Sequence, residues 1–246
     1  MAATETGSVL MYKERTYDLV GARAGRRILD VGCGSGEDAM AMARLVAPGG
    51  QVVGVDLNAA ELVEARTRSQ AFALPVVFEA ADATVLPYAG GSFDGCRADL
   101  LFRELADPEK ALEELVRVAR PGARVVVADV DFGSAVIDVS DRQLGRKVQT
   151  FLIEQMPNPW SGRRLPGMFK RAGLTDVQCT VTFWPVSFEE LRDQLHLPEA
   201  LGLMRARGLA TAQETENLTA ELESKAAAGD FFCGISLFVV VGAKPQ

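Results

Sequence analysis

The stretch RILDVGCGSGED at residues 27–38 decides the fold of this 246-residue chain. The apolar residues around Asp30 predict a short buried strand, and the alanines and methionines that follow predict a helix over residues 39–45. Between them lie Gly32, Gly34 and Gly36. A strand, a tight glycine turn and a helix bring backbone N–H groups up to a ligand, because glycine admits positive φ angles and leaves room for the ligand.

Two classes of ligand fit this turn. A dinucleotide fingerprint has the form G-x-G-x-x-G, whereas this chain has G-x-G-x-G and carries Glu37 where the third fingerprint glycine would lie. Asp30, Glu37 and Asp38 surround the turn with negative charge, which disfavours a pyrophosphate and suits a ligand that carries an ammonium and a sulfonium. A glycine turn with a purely structural role is the remaining alternative.

The longer string Leu-Asp-Val-Gly-Cys-Gly-Ser-Gly at residues 29–36 resembles motif I of the class I S-adenosylmethionine (SAM) dependent methyltransferases. The resemblance is strongest over residues 26–131, and it is closest to the small-molecule group of ubiquinone and menaquinone biosynthesis. It implies an α/β fold with a doubly wound, seven-stranded, mostly parallel, Rossmann-like sheet and helical lid insertions. It also implies SAM as cofactor and S-adenosylhomocysteine as product. The cofactor-binding residues that it implies in this motif are Asp30, Gly32, Cys33, Gly34 and Gly36.

Downstream spacing supports an adenosine ligand. Asp56 ends a predicted strand at residues 51–56, where a carboxylate can accept hydrogen bonds from both ribose hydroxyls in SAM and NAD alike. Leu57 is expected to lie against the adenine. The resemblance further implies an acid after the third strand that takes the adenine amino group, which is Asp82 here, with Ala81 and Ala83 beside it. A dehydrogenase does not need this acid, so Asp82 favours SAM.

The fourth predicted strand, at residues 94–97, ends beside polar residues. Arg97 and Asp99 lie past the carboxyl end of the strand, where open α/β sheets bind ligands. We expect Arg97 to bind the cofactor and Asp99 to face the acceptor, and an Arg–Asp pair that supports the loop is the alternative. Related sequences commonly have a histidine at the place of Glu104, so Glu104 is a candidate base, with a solvated acid as the alternative.

Two segments break the regular alternation of strands and helices and are predicted to form the acceptor side. They cover residues 132–166 and 187–230. The second is predicted to be a helical lid with caps at Ser187, Thr211 and Thr219; an interaction surface or a plain helical hairpin is the alternative. Asp131 and His196 join Glu104 as candidate bases. The remaining candidate acceptor contacts are Tyr12 and Tyr17 of an N-terminal helix at residues 11–20, Phe102, Trp160 and Arg163.

Composition excludes several classes of function. The formal net charge of −7 argues against nucleic acid and anionic membranes as partners, and no apolar run is long enough to insert into a membrane. The N-terminus shows no export signal, and the four widely spaced cysteines predict free thiols in a cytoplasmic protein. One histidine does not predict a metal site. The chain is expected to be a monomer or a homodimer.

The sequence therefore predicts a single domain over residues 1–246, with an N-terminal helical segment at residues 1–25. The predicted function is transfer of a methyl group from SAM to the oxygen or carbon of a small apolar or cyclic acceptor, such as a quinone or a polyketide-like compound. One alternative is a SAM-binding enzyme that does not transfer the methyl group, such as a cyclase, decarboxylase or hydroxylase. The other is a SAM-binding regulatory or scaffold subunit.

Overall fold

The structure is a computed structural model that describes residues 2–246, with side chains described from residue 11 onward. Within these residues, seven strands form one sheet. In chain order they are β1 (Arg27–Val31), β2 (Gln51–Asp56), β3 (Val76–Ala80), β4 (Phe93–Asp99), β5 (Ala119–Ile137), β6 (Thr175–Pro185) and β7 (Cys233–Ala243). The strand order across the sheet is β3-β2-β1-β4-β5-β7-β6. The first five strands are parallel, and β7 runs antiparallel to both of its neighbours.

Helices cover both faces of this sheet. They are α1 (Ala2–Val20), α2 (Glu37–Val46), α3 (Ala59–Gln70), α4 (Pro108–Val118), α5 (Arg142–Glu154), α6 (Ser161–Arg171), α7 (Leu197–Ala206) and α8 (Ala212–Ala228). A 3-10 turn at Phe102–Glu104 follows β4, and a π-helical turn at Glu190–Gln194 precedes α7. The doubly wound, mostly parallel sheet predicted from the sequence is confirmed.

The two faces of the sheet bury separate apolar clusters because successive strand residues point to opposite sides. Ile28 of β1 packs with residues of α1, α2, α3, α5, α7 and α8, whereas Leu29 packs with residues of α4 and α6. Helices α5, α7 and α8 of the two predicted lid segments therefore lie on the face that α1 covers, whereas α6, which begins inside the first segment, lies on the opposite face. Among the described residues, the longest helices carry too much polar sequence to cross a lipid bilayer.

The strand order reverses at β1: β2 and β3 lie on one side of it, and β4 and the later strands lie on the other. The carboxyl ends of the neighbouring strands β1 and β4 therefore form a crevice. The parallel register places Asp30 of β1 directly beside Arg97 of β4. The glycine turn that follows β1 and the loop that follows β4 open at the same edge. The cofactor site proposed below lies at this edge.

Several element boundaries differ from the sequence-based expectation. The N-terminal helix predicted over residues 11–20 begins at Ala2, and the strand predicted over residues 94–97 extends over Phe93–Asp99. The Thr211 cap is confirmed, since its side chain accepts a hydrogen bond from the first turn of α8, and Asn58 caps α3 in the same way. The cap predicted at Thr219 is wrong, because Thr219 lies inside α8 and its hydroxyl donates to the Thr215 carbonyl.

Candidate active site

The glycine turn after β1 is a backbone cradle. Gly32, Gly34 and Gly36 all have positive φ, at 72°, 49° and 80°. A Cβ at Gly36 would lie 2.5 Å from the Phe78 ring, so this glycine is required by packing as well as by conformation. At Gly34 the nearest atom to such a Cβ is a side-chain oxygen 3.8 Å away, so the backbone faces open space there. Gly34 is therefore the point of the turn that a ligand can approach most closely.

Asp56 at the end of β2 supports this turn. Its Oδ2 accepts a hydrogen bond from the Gly34 N–H at 2.9 Å, and its Oδ1 accepts one from the Asn58 N–H at 2.8 Å. A carboxylate can accept about four hydrogen bonds, so it retains acceptor capacity for a ligand. The neighbouring Leu57 is 69% exposed. An acceptor group and an apolar surface thus lie side by side.

The loop after β3 completes this side of the edge. The Ala81 N–H donates to the Asp56 carbonyl, and Ala83 is buried beneath the loop. Asp82 is exposed and accepts hydrogen bonds from the backbone N–H and the hydroxyl of Thr84, which lower its pKa. Asp82 therefore stays ionised, and it lies on the loop that adjoins Asp56.

Behind the glycine turn lies a buried cluster centred on Arg97, of which only 1% is exposed. Its guanidinium donates to Asp30 at 2.8 Å, to Asp38 at 2.9 Å and to Asp99 at 2.8 Å. Its Nε donates to the Thr16 hydroxyl at 2.8 Å. We name Arg97, Asp30, Asp38, Asp99 and the α1 side chains that bind them the Arg97 cluster. Arg97 donates to all three of these carboxylates and so positions them around the turn, and a contact between Arg97 and the cofactor stays a prediction.

Helix α1 is tied to this cluster by polar contacts. Tyr12 donates to Asp99 at 3.1 Å, Tyr17 donates to Asp38 at 2.7 Å, and the Lys13 ammonium lies 3.0 Å from Asp38. Burial, followed by the nearby carboxylates, raises the pKa of both tyrosines above the usual range, so both hydroxyls remain donors. Both tyrosines are thus nearly buried donors to the carboxylates of the cluster, and their contact with the acceptor stays a prediction.

The cluster holds one carboxylate more than it holds cations, because three aspartates face Arg97 and Lys13. Burial opposes ionisation of Asp38, but Arg97 and Lys13 lower its pKa. Burial raises the pKa of Asp30 to about 6. Its Oδ2 is buried and has no hydrogen-bond partner among the described side chains. An orphaned carboxylate oxygen next to a glycine turn fits a ligand that brings a positively charged donor.

A cleft of about 540 Å³ opens beside the ends of β4 and β5. This volume lies in the usual range for small-molecule sites. Both predicted lid segments contribute to it, with Met156 and Pro157 from the first and the π-helical turn with His196 from the second. The lining consists of Leu100, Arg103, Glu104, Val130, Phe132, Met156, Pro157, Trp184, Val186, Glu190, Gln194, Leu195, His196 and Ile235.

Two residues of this cleft have strained backbones. Leu100 has φ 53° and His196 has φ 51°, in the left-handed region that non-glycine residues rarely adopt. Within the described part of the chain, only Ala73 and Asp176 share this property among non-glycine residues. Backbone strain of this kind concentrates at functional sites. Backbone strain at two residues of one cleft supports the cleft as a functional site, independently of the cleft volume.

The structure brings together two of the three candidate bases, because Glu104 and His196 line the same cleft. Asp131 does not line it: its side chain is fully buried, and both of its oxygens accept hydrogen bonds from Arg163. Asp131 is therefore the partner of Arg163, and its role as a base stays a prediction. Asp99 is likewise held in the Arg97 cluster and does not face the acceptor side as predicted.

Three predicted acceptor contacts lie away from the cleft. Phe102 is fully buried in the cluster beneath α4 and α6. Trp160 and Arg163 pack over Gly133, where a Cβ would lie 2.7 Å and 2.9 Å from their side chains. None of the three side chains is among the residues that line the cleft, and their contact with an acceptor stays a prediction.

Sequence reasoning missed several residues of the site. Trp184, Glu190 and Gln194 line the cleft. Strand and helix patterns do not predict these positions, because the three residues are distant in sequence from the other residues of the cleft. Trp184 also packs against Tyr12, with ring centroids 5.3 Å apart, and so links the cleft to the Arg97 cluster. The structural role of Asp38 had a usable signal, because it lies within the acidic glycine turn opposite a basic residue on the adjacent strand.

Comparison with known proteins identifies the family. Residues 22–173 match the family model of the methyltransferase domain. An uncharacterized protein of transposon TN4556 from Streptomyces fradiae is 33% identical over 243 residues, which cover 96% of this chain and 68% of that protein. A demethylmenaquinone methyltransferase from Thermus thermophilus is 43% identical over 123 residues, which cover 50% of this chain and 56% of the enzyme. The chain thus spans little more than half the length of this named relative.

Solved structures show the same fold. The YcgJ protein of Bacillus subtilis aligns with a TM-score of 0.68 at 19% identity, and the alignment covers 95% of this chain and 98% of that one. The family match spans the glycine turn, Asp56, Asp82 and the Arg97, Asp38 and Asp99 side chains, and the cofactor of this family is SAM. The chain therefore belongs to the SAM-dependent methyltransferases with the class I fold.

Proposed function

We propose that this protein transfers the methyl group of SAM to a small acceptor with an apolar body, bound in the cleft beside β4 and β5. The observation that carries the proposal is the position of the cleft. It opens at the carboxyl edge of the sheet, and its Leu100 directly precedes Leu101, whose side chain packs against Gly32 of the glycine turn. A cofactor on that turn and an acceptor in the cleft would be neighbours.

We assign the cofactor contacts from the geometry of the edge. The backbone at Gly34 and Gly36 would cradle the aminoacyl part of SAM, and the orphaned Oδ2 of Asp30 would receive its ammonium. Asp56 has acceptor capacity for the ribose hydroxyls, and the exposed Leu57 would cover the adenine. Asp82 would accept from the adenine amino group. Cys33 lies in the turn with its thiol half-buried, and burial raises its pKa, so it serves as a neutral wall residue.

The acceptor side favours apolar compounds. Most side chains of the cleft are apolar, and its inner end adjoins a smaller cavity lined almost entirely by aliphatic residues of β5, α5 and α8. The two spaces share Phe132, Met156, Val186, Leu195 and Ile235. An acceptor that buries a ring or short chain there would leave its polar end near Glu104 and His196 at the mouth.

The chain's contribution to catalysis is orientation and exclusion of water. SAM supplies a methyl carbon on a positively charged sulfur, which is already a good electrophile. Holding a nucleophile in line with such a carbon supplies on the order of 7–11 kcal/mol of the barrier reduction. The Arg97 cluster fixes the glycine turn, and the apolar cleft fixes the acceptor, so the two reactants meet in a dry environment.

The test uses SAM with a deuterated methyl group, the purified protein and a small-molecule extract of the source organism. The proposal expects deuterated methyl in one new compound and an equal amount of S-adenosylhomocysteine, both measured by mass spectrometry. If SAM binds and stays intact while an extract compound changes, the protein is a SAM-binding enzyme that does not methylate. If SAM binds and nothing changes, a regulatory or scaffold role replaces the proposal.

We also propose a cytoplasmic location and a monomeric or homodimeric state. Support for the location comes from the cysteines, all four of which are free thiols in the described chain. Cys96 and Cys233 are buried, and burial raises the pKa of both, so they are unreactive. The oligomeric state is measurable by light scattering coupled to gel filtration.

A further inference from the structure

We infer that the protein has a second binding site, for a phosphate or diphosphate group, in a cleft at the amino edge of the sheet. This cleft has a volume of about 500 Å³, and the four arginines that line it are Arg23, Arg26, Arg120 and Arg124. We name it the arginine cleft. The cofactor site and the cleft proposed for the acceptor lie at the opposite, carboxyl edge, so the inference rests on neither of them.

The arginines come together because parallel strands begin at this edge. Arg26 directly precedes β1, Arg120 and Arg124 lie at the start of β5, and Arg23 lies in the connection between α1 and β1. The five residues of β1 lie between Arg26 and the glycine turn. At about 3.3 Å per residue they span roughly 16 Å. A ligand in the arginine cleft would therefore leave the cofactor site free.

Asp94, at the start of β4, holds two of the arginines in place. Its side chain is only 10% exposed, and its Oδ1 accepts hydrogen bonds from Arg26 at 3.3 Å and from Arg120 at 2.5 Å. Burial opposes ionisation of Asp94, but these bonds and one from the Arg27 N–H lower its pKa, so it stays charged. The Arg26 and Arg120 side chains remain 41% and 50% exposed. Since an arginine has five N–H donors, each of them keeps donors for a ligand.

The other two arginines of the cleft lie outside these ion pairs. Arg23 and Arg124 are exposed, and neither makes an ion pair or a side-chain hydrogen bond with the described part of the chain. A guanidinium is always charged and carries only donors. Two fixed and two unpaired guanidiniums thus share one cleft.

The arginine cleft is positively charged, although the whole chain has a formal net charge of −7. The acidic side chains in its lining are Asp18 and Asp94, which are fewer than the four arginines. Gln246 also lines the cleft, and a terminal carboxylate on it would still leave the positive charges in excess. Guanidiniums in one cleft repel one another, and an anion between them replaces this repulsion by attraction. The charge therefore favours an anionic ligand.

The donors favour phosphate over carboxylate. A single guanidinium fork satisfies both oxygens of a carboxylate. A phosphate group has three terminal oxygens and a charge of about −1.5 to −2 at neutral pH, so it can bind several arginines at once. A diphosphate group offers more of both. None of the described lining residues is aromatic, so the lining offers no aromatic ring on which a nucleobase could stack, and the phosphate itself would be the recognised group.

The first part of the test measures affinity by isothermal titration calorimetry. The probes are inorganic pyrophosphate, uridine diphosphate and citrate, in a phosphate-free buffer with about 0.15 M sodium chloride, which screens distant surface charges. We expect one diphosphate per chain, bound more tightly than citrate. Tighter binding of pyrophosphate assigns the site to the free anion, and tighter binding of uridine diphosphate assigns it to the diphosphate group of a larger molecule. No saturable binding of either diphosphate, or citrate binding as tight as theirs, would overturn the inference.

The second part locates the site with paired substitutions. Arg23→Gln combined with Arg124→Gln removes two charges from the cleft without breaking an ion pair. Diphosphate affinity should fall at least about 10-fold, because two charge-assisted contacts are lost. Arg142→Gln combined with Arg146→Gln is the matched control, since it makes the same change of charge at exposed positions of α5 and should leave the affinity unchanged. Equal losses in the two double variants would reveal unspecific charge attraction and contradict the inference.

The third part separates this site from the cofactor site. The diphosphate titration is repeated with saturating S-adenosylhomocysteine, and we expect unchanged affinity because β1 separates the two sites. Both double variants should also bind S-adenosylhomocysteine like the unchanged protein, which shows that they are folded. If S-adenosylhomocysteine abolishes diphosphate binding, the diphosphate occupies the glycine turn, and the inference fails while the proposed function stands.

Discussion

Replacing Arg97 by methionine is the sharpest test of how this site is held together. The substitution keeps most of the side-chain volume but removes the guanidinium that donates to three aspartates and to Thr16. Asp30, Asp38 and Asp99 would then share a buried space with Lys13 as the remaining cation of the cluster. Since no solvent reaches most of this space, their mutual repulsion would be poorly screened.

The expected cost follows from burial. Arg97 and Asp30 have side chains only 1% and 2% exposed, so this is a fully desolvated ion pair. Removing one partner of such a pair costs about 3–5 kcal/mol. Domains of this kind are stable by about 5–15 kcal/mol, so the variant loses a large part of its stability. The melting temperature should fall by roughly 6–20 °C at neutral pH.

The loss should also depend on pH. Without Arg97, the pKa values of Asp30 and Asp99, which burial already raises, rise further, and the pKa of Asp38 rises because it loses a cation that lowers it. The folded variant therefore binds protons that the unfolded chain releases. Its stability therefore falls as pH increases, by about 1.4 kcal/mol per pH unit for each extra proton bound. Urea unfolding followed by circular dichroism at pH 5 and pH 7.5 measures this, with Arg192→Met as a control in an exposed pair with Asp193. A loss below about 1 kcal/mol at pH 7.5, with no change at pH 5, would refute the account of the Arg97 cluster.

Three further predictions concern the glycine turn, the ribose contact and acid stability. Gly34→Ala should cost about 1–2 kcal/mol of stability through its positive φ and abolish SAM binding, whereas Gly36→Ala should unfold the turn because its Cβ meets the Phe78 ring. Differential scanning fluorimetry with and without SAM distinguishes the two variants. Equal effects of the two substitutions would contradict the account of the turn as a backbone cradle for SAM. Asp56→Asn should weaken SAM binding roughly 10- to 100-fold by calorimetry, and unchanged affinity would show that the ribose contact is misplaced. Burial raises the pKa of Asp30 and of Asp129 to about 6, so below that pH the folded protein binds protons that the unfolded chain has released. The free energy of unfolding of the apoprotein should therefore decrease as pH rises from about 4.5 to 6.5. An increase in the urea midpoint over this pH range would contradict these shifts.

The sequence predicts the fold well because its turns, caps and strands are encoded by residues that are adjacent in the chain. The glycine turn at residues 32–36 is encoded in adjacent residues, and the Asn58 cap and the alternating strand residues are also local. The carboxyl ends of parallel strands meet at one edge of the sheet, so the sequence alone predicts that Asp56 lies beside the glycine turn. Residue spacing sufficed for this half of the site.

The acceptor side was less predictable because long-range packing creates it. Trp184 and Glu190 reach the cleft only because β6 and the π-helical turn fold back over α1. Arg163 is too far in sequence from Asp131 for their pairing to be evident, although the pairing occupies both carboxylate oxygens of Asp131. The face that a side chain occupies on a long strand such as β5 depends on register shifts, which sequence patterns do not fix.

A crystal structure of the protein with S-adenosylhomocysteine bound tests the central claim most directly. The account predicts the ribose hydroxyls within hydrogen-bond distance of Asp56, the adenine beside Leu57 and Asp82, and the amino group near Oδ2 of Asp30. It also predicts that the sulfur faces the cleft at Leu100, so that a methyl group on it would point toward His196. Product bound elsewhere, or bound on the glycine turn with its sulfur directed away from the cleft, would contradict the account.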